Sequence, residues 1–355
     1  MKADPDRLRA PVAMLVHAYY EEDARVRRKA EALVAAGREV DVFALRRADD
    51  MPDGELDGVR ITRLPVGRHQ GAGLATYLAE YLAFFARSGI ALVRAHRRRR
   101  YGLVEVNTLP DFLVFAALPL KLAGVPLVLD LHEAMPEFFR SRFPRASGRI
   151  ARGVLSVQER LSIRVADAVV TVNDSLAARL VERGVPPEKI TVVLNAPAMT
   201  LFDPSRFPQR PFMADGRLRL VYAGALTPIY ELDVVLRAIA ALRERRPDLP
   251  VELDVFGRGD SEAGLVALAA SLGIAGAVRF NGRVPLEAIP AAVAVADIGV
   301  APTRRDRFTE LSLSTKLFEY AAMGKPVIAS RLPTVERYFP PGSVTTYEPG
   351  NAGSV

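Results

Sequence analysis

The chain has 355 residues, half of them apolar, with no cysteine, four histidines and a net charge of +7, a size that favours two domains with separate cores. The absence of cysteine excludes disulfides, thiolate metal sites and a cysteine nucleophile, and four histidines leave little material for a histidine-rich metal centre. The positive charge suits an anionic partner, whether a sugar nucleotide, a phospholipid surface or nucleic acid.

In chain order, Met1 precedes Lys2, Asp4 and Asp6 rather than an apolar signal region. No apolar run reaches the roughly 18 residues of a membrane span, so a cytoplasmic location is expected. Val12 to Val16 predicts a strand, Asp23 to Gly37 a helix with Val26, Ala30, Leu33 and Val34 on one face, and Val40 to Ala44 a second strand. This βαβ unit lacks the G-x-G-x-x-G of dinucleotide-binding folds, and the pairs Gly71/Gly73 and Gly257/Gly259 lack its full spacing. Asp23 and Arg25 stand past the first strand, where they either bind a ligand or cap the helix and pair with one another. Tyr77, Leu78, Tyr81, Leu82, Phe84, Phe85, Ile90 and Leu92 form an amphipathic stretch that runs into the arginines of 94–100. It reads either as a packed helix whose arginines complement its dipole or as a surface for an anionic membrane. No aromatic residues alternate with these arginines, so nucleic acid is not an expected partner.

Leu103 to Val106 predicts a strand, Pro110 to Gly124 a largely apolar helix, and Val125 to Leu131 the most strand-like run of this half. That run delivers His132 and Glu133 to the C-terminal edge of a sheet, where ligands of open α/β folds bind. A helix from Ser147 to Ala166, a strand from Ala168 to Val172, a helix from Ser175 to Glu182 and a strand from Ile190 to Leu194 continue the alternation. Asn195 to Gly216 then holds Pro197, Pro204, Pro208 and Pro211 with no sustained period. The expected domains are residues 1–195 and 217–355, joined by a linker at 196–216.

The second half restarts with a strand from Leu218 to Tyr222, a loop in which Gly224 permits close backbone approach to a ligand, and a helix from about Glu231 to Arg245. Val251 to Phe256 and Asp297 to Ala301 predict further strands, the second leading to Arg304, Arg305 and Arg307. Glu310 to Arg331, ELSLSTKLFEYAAMGKPVIASR, combines a polar loop, a short helix and a buried strand. Ser314, Thr315 and Lys316 offer free amides, two hydroxyls and an ammonium, a set suited to a diphosphate. One turn on, the Glu319 carboxylate is of a kind that accepts ribose hydroxyls. Pro333 to Phe339 predicts a short helix and Val344 to Tyr347 a last strand. No D-x-D element suggests a bridging metal.

The stretch at 310–331 resembles the donor-site motif of retaining glycosyltransferases of the GT-B fold, family 4, often S/P-x-K-L/F-x-E-Y-x-A-x-G-K-P-V-I-A. The resemblance implies that Glu319 holds the ribose of a nucleotide sugar and that Ser314, Thr315 and Lys316 face its diphosphate. It extends to the turn at Asp23, Arg25 and Val26 and to LDLHEAMPEFF, where the family histidine lies beside the donor sugar and nominates His132 as catalytic with Lys316 and Glu319. It also covers the G-x-L turn at Gly224 and Ala225, the G-x-G turn at Gly257, and a base-pocket segment at Arg283 and Val284. Asp23, Arg25 and Glu133 are acceptor-side candidates. Three places depart from the family: Leu311 stands where an acid often touches the donor hexose, and Ala225 and Tyr230 where an arginine and a lysine usually grip the diphosphate. Helices that commonly close the family fold have no counterpart before Val355.

The implied protein is α/β, with two Rossmann-like domains facing across a cleft. It would transfer a sugar, without metal and with retention, from a nucleotide diphosphate-sugar, UDP-sugar favoured, to a glycan, lipid-linked or small-molecule hydroxyl. No cofactor beyond that donor is expected, and the inner face of the membrane is a second location. Two alternatives stand beside it. A nucleotide-sugar epimerase would convert donor without acceptor, and a non-catalytic sugar-nucleotide-binding protein would fit Ala225, Tyr230 and Leu311.

Overall fold

The computed structural model describes residues 9–67, 74–143, 148–208 and 210–355; Gly71, Gly73 and Ser147 lie outside the described residues. The chain divides into two compact units, residues 1–194 and 195–355.

The first unit is built on strands β1 (Val12–Val16), β2 (Val40–Leu45), β3 (Asp53–Leu56), β4 (Val59–Leu64), β5 (Leu103–Asn107), β6 (Leu127–Leu131), β7 (Ala168–Thr171) and β8 (Ile190–Val192). They form one sheet in the order β3-β4-β2-β1-β5-β6-β7-β8, parallel except for β3 against β4. Helices α1 (Ala24–Ala35), α2 (Leu74–Arg99), α3 (Leu118–Leu122), α4 (Met135–Arg142), α5 (Arg149–Val165) and α6 (Asp174–Glu182) connect them. Short apolar runs suit strands covered on both faces, and β1 shows it: Ala13 and Leu15 join the core with Phe84 and Leu92 of α2, while Val12, Met14 and Val16 join Val26 and Ala30 of α1.

Two features differ from the sequence reading. The β3–β4 hairpin was not expected; Asp57 and Gly58 turn it with φ of 50° and 76°, the left-handed pair that Asp-Gly favours. The helix expected from Pro110 to Gly124 is a 3-10 run, Asp111–Ala117, followed by the short α3. Pro119 sits in the first turn of α3, where its missing N–H starts a helix but cannot continue one.

The second unit has strands β9 (Leu218–Ala223), β10 (Val251–Phe256), β11 (Val278–Gly282), β12 (Ile298–Ala301), β13 (Val327–Ser330) and β14 (Thr345–Tyr347). All are parallel, in the order β11-β10-β9-β12-β13-β14. Helices α7 (Leu232–Arg245), α8 (Glu262–Ser271), α9 (Ile289–Val295), α10 (Thr315–Ala322) and α11 (Pro333–Tyr338) complete it. Segment 196–216 carries Phe202 into this unit's core beside Val221 and Tyr320. In both sheets the strand order reverses direction at the first strand, beside β1 and beside β9, and loops leaving the sheet there diverge to leave room for a ligand.

One contact seats α10. The Tyr320 ring lies against Gly299 of β12, where a Cβ would stand 2.2 Å from a ring carbon, and the Tyr320 hydroxyl accepts a hydrogen bond from the Ala223 amide at 3.2 Å. Gly299→Ala should therefore cost about 1–3 kcal/mol by overpacking. Urea unfolding measures it, and an unchanged midpoint would show that the ring does not rest there.

Candidate functional site

In the second unit, the loops after β9, β10 and β11 continue the sheet's hydrogen bonding beyond the strands. Gly224 N–H donates to Phe256 O at 2.8 Å, Leu226 N–H to Arg258 O at 3.0 Å, and Gly257 N–H to Gly282 O at 2.7 Å. Backbones this close exclude side chains: a Cβ at Gly257 would lie 1.8 Å from Gly224 O, and one at Gly259 2.2 Å from Leu226 O. The F-G-R-G-D segment is thus a backbone clasp.

A Cβ at Gly224 would stand 2.4 Å from Lys316 Cε, so the glycine clears the path of that side chain. Lys316 is buried, its Nζ 4.2 Å from the Tyr230 ring centre and 5.2 Å from that of Tyr222. Tyr222 donates its hydroxyl to Ala225 O at 2.7 Å, which fixes the turn. Lys316 makes no ion pair among the described residues. Its ammonium is held by ring faces, an interaction worth about 1–2 kcal/mol when partly desolvated.

Lys316 lies in the first turn of α10, whose N-cap, Ser314, makes no side-chain capping bond. Ser314 and Thr315 are half-buried there, and Glu319 is half-buried one turn further on. Ala225 is exposed, as is Arg283 after β11, while Val284 packs on the core containing Tyr320. Glu310, the acid nearest Leu311, pairs with Arg305 at 2.9 Å.

Glu231 was not singled out in the sequence, yet it ties this edge together. Its buried carboxylate accepts from Tyr347 Oη at 2.9 Å, Ser330 Oγ at 3.3 Å and Gly350 N at 3.0 Å, and Ser330 Oγ accepts from Thr303 N at 2.6 Å. Burial pushes this carboxyl up and the three hydrogen bonds pull against it. A cavity of about 600 Å³ opens among Tyr230, Glu231, Asp260, Arg304, Arg305 and Gly350.

In the first unit, Asp23 caps α1 through Oδ1, which accepts from Arg25 N at 3.1 Å and Val26 N at 3.3 Å. Arg25 also grips it with two guanidinium bonds of 3.1 and 2.9 Å. Burial alone would raise the Asp23 carboxyl, but Arg25 brings it down to about 2. Of the two readings offered for this pair, capping and mutual pairing are what the geometry displays.

His132, at the end of β6, is buried; its backbone N–H donates to Thr108 Oγ1 at 3.2 Å and its Nε2 lies 2.9 Å from Asp130 Oδ2. Asp130 is shared with Lys29, whose ammonium also donates to Glu105 and, at 3.0 Å, to Asn107 Oδ1. Burial, then the charges of Arg25 and Lys29, push the imidazole down to about 3, so it is neutral across the physiological range. Glu133 is raised by burial against the pull of Arg25. Glu137 is committed to structure: it pairs with Arg179 and Arg183, which both also hold Glu159. Asp111 is fully buried and neither carboxyl oxygen has a hydrogen-bond partner among the described residues. Among the described residues no group of three or more His, Asp or Glu side chains could hold a metal ion.

Comparison with known proteins adds the context. Residues 23–196 match the glycosyl transferase 4-like domain and residues 217–351 match glycosyl transferases group 1. A D-inositol 3-phosphate glycosyltransferase of Thermobispora bispora is 29% identical over 316 residues, covering 85% of this chain and 71% of that protein. One from Streptomyces scabiei is 29% identical over 326 residues, with 85% and 69% covered. Among solved structures, sucrose-phosphate synthase of Thermosynechococcus elongatus superposes with a TM-score of 0.77 at 18% identity, over 98% of this chain and 88% of that one. Anabaena HepE in complex with UDP and glucose does so with a TM-score of 0.68 at 19% identity, over 97% and 87%. At such identities the two structures attest the fold.

Asp111 generates a pH-dependent expectation. Burial first, then the charge of Glu159, pushes its carboxyl up to about 8 from an ordinary 3.8. Below pH ~4 both folded and unfolded chains hold this proton; between there and ~8 only the unfolded chain releases it, so stability falls with rising pH and levels off above. Asp111→Asn should therefore stabilise the fold more at pH 8 than at pH 5 in thermal unfolding. An equal shift at both values, or one larger at pH 5, contradicts the buried neutral carboxyl.

Proposed function

Since the chain belongs to the group 1 glycosyltransferases of the GT-B fold and is an enzyme of the hexosyltransferase class that uses nucleotide-sugar-type donors, we propose that it transfers a sugar from a UDP-sugar to a hydroxyl acceptor with retention of configuration. The observation that carries this reading is Lys316: a buried ammonium with no ion pair among the described residues, beside the Gly224 turn and at the start of α10, whose N-cap Ser314 makes no side-chain capping bond. As the glycosidic bond breaks, negative charge gathers on the departing diphosphate. Fixed amides and a fixed ammonium stabilise that charge more than the ground state, without reorganisation at the moment of reaction.

In this reading the Ser314 and Thr315 hydroxyls add donors to the diphosphate, and Glu319 accepts the ribose hydroxyls. Gly224, Ala225 and Gly257 bring backbone to the donor, and Arg283 and Val284 meet the base. The preference for UDP is supported by HepE, the structural neighbour solved with UDP. Neutral His132 suits the sugar side, since it can exchange hydrogen bonds with a hydroxyl without adding charge. Asp23, Arg25 and Glu133 remain acceptor-side assignments, the charge of Arg25 acting to lower the Glu133 carboxyl. Ala225 and Tyr230 remove the two cations usual in this family, and the Tyr230 ring instead holds Lys316.

Calorimetric titration with UDP, GDP, ADP and dTDP, without added metal, tests the donor site. Selective binding of UDP is expected, weakened at least ~ten-fold in Glu319→Ala, the size of a lost charge-assisted hydrogen bond; equal affinity in that variant would remove Glu319 from the site. Tyr230 supplies a second expectation. Tyr230→Phe keeps the ring face and should bind UDP like the parent, whereas Tyr230→Ala should lose about five- to thirty-fold, the size of one desolvated cation–π contact. Equal loss in both would assign the effect to the hydroxyl. Conversion of UDP-sugar without acceptor would favour the epimerase.

A further inference from the structure

Among the described residues, eight of the sixteen large apolar side chains that are well exposed sit on three helices of the first unit. Helices α2 and α5 both pack on the 3-10 run Asp111–Ala117, which leads directly into α3. All three contribute to one core through Phe84, Leu92, Leu120 and Ile163. Yet α2 also turns Leu78, Leu82 and Ile90 outward, α3 turns out Leu122, and α5 turns out Ile150, Val154, Val157 and Leu161, each between 49% and 86% exposed.

Helix α5 is apolar on its outer face as well as toward the core. Ile150, Val154, Val157 and Leu161 recur at i, i+4, i+7 and i+11, a single stripe that normally faces a core. Here that stripe is exposed, while the inward side carries Glu159 and Ser162 beside Ile163, with Glu159 held by Arg179 and Arg183. The exposed charges on α5 are Arg149, Arg152, Arg160 and Arg164. Helix α2 follows the same rule: its one acid, Glu80, is buried, and Arg94, Arg97 and Arg98 are exposed near its C-terminus. Each long helix hides its only carboxylate and shows water apolar side chains and arginines.

We propose that this helical layer docks on an anionic phospholipid bilayer, its apolar side chains entering the boundary between headgroups and acyl chains while the arginines meet lipid phosphates. The charge pattern selects this occupant. A second copy of the chain would set arginine rows against each other with no exposed acid on α2 or α5 to offset them, and nucleic acid would leave the apolar stripe unpaired with anything of its kind. No helix of the described residues is long and apolar enough to cross a membrane, so the contact is peripheral. The proposal rests on this surface and not on the donor-site reading.

Co-sedimentation of the full chain with vesicles of phosphatidylcholine alone, or of phosphatidylcholine mixed with phosphatidylglycerol, tests it. Binding to the mixed vesicles only, weakening as salt is raised, is expected. Val154→Asp with Leu161→Asp, and separately Arg152→Glu with Arg160→Glu, should each lower partitioning roughly ten-fold or more. These residues are exposed, so circular dichroism and thermal unfolding should match the parent. Val266→Asp, on the exposed face of α8 in the second unit, should bind as the parent does. Failure to bind mixed vesicles at low salt, parental binding by both double variants, or a dimer of the parent that Val154→Asp dissociates would each overturn the proposal.

Discussion

The ring of Tyr320 pressed on Gly299 is the contact from which the geometry of the second unit's site follows. Residues four apart share a helix face, so seating Tyr320 on β12 turns Lys316 toward the same sheet, over the turn that follows β9. Gly224 leaves the space that Lys316 Cε would otherwise contest, and the clasp of Gly257 and Gly259 against the backbone of 224–226 keeps that turn in place. Removing an ammonium from water is costly, and the faces of Tyr222 and Tyr230 offset only part of that cost. In the proposed donor-site reading, a diphosphate arriving there would meet a charge already oriented and largely desolvated, the condition under which electrostatic stabilisation is strongest.

The first unit distributes charge differently. Asp23 is ionised because Arg25 holds it, His132 is neutral because burial and two nearby cations disfavour its proton, and Asp111 keeps its proton because burial and the charge of Glu159 outweigh the pull of Arg179. Three titratable groups around one sheet edge thus occupy three different states, each set by its own surroundings. The same unit sequesters Glu80 and Glu159 inside α2 and α5, and that burial gives the outer layer its apolar and basic character.

The parallel core was legible because β1, β6 and β13 are short, mainly apolar runs and β10 alternates apolar with charged residues, all between helical patterns, and the motif at 310–331 carried α10 and its polar start. The hairpin of β3 and β4 was missed because DGEL and VRITRL mix charge with apolar residues at an edge; Asp57-Gly58 was the signal available. Pro110 to Gly124 misled because composition reports burial, while Pro119 decides how the backbone turns. Glu231, Lys29 and Asp111 carried no local signal at all. Lys29 meets Glu105 and Asp130 from 76 and 101 residues away, and Glu231 reaches Gly350 across 119. Tyr230 read as the loss of a cation, and only the fold reveals that its ring supports one from α10.

The central claim is that Lys316 is the charge prepared for the donor's diphosphate. Its most direct test is calorimetric titration of UDP into the parent and Lys316→Met across a range of salt concentrations. The account predicts that Lys316→Met, still folded, binds UDP at least ~ten-fold more weakly and with a flatter salt dependence, as expected when one cation that meets the ligand is removed. Parental affinity with parental salt dependence in a folded Lys316→Met would contradict it.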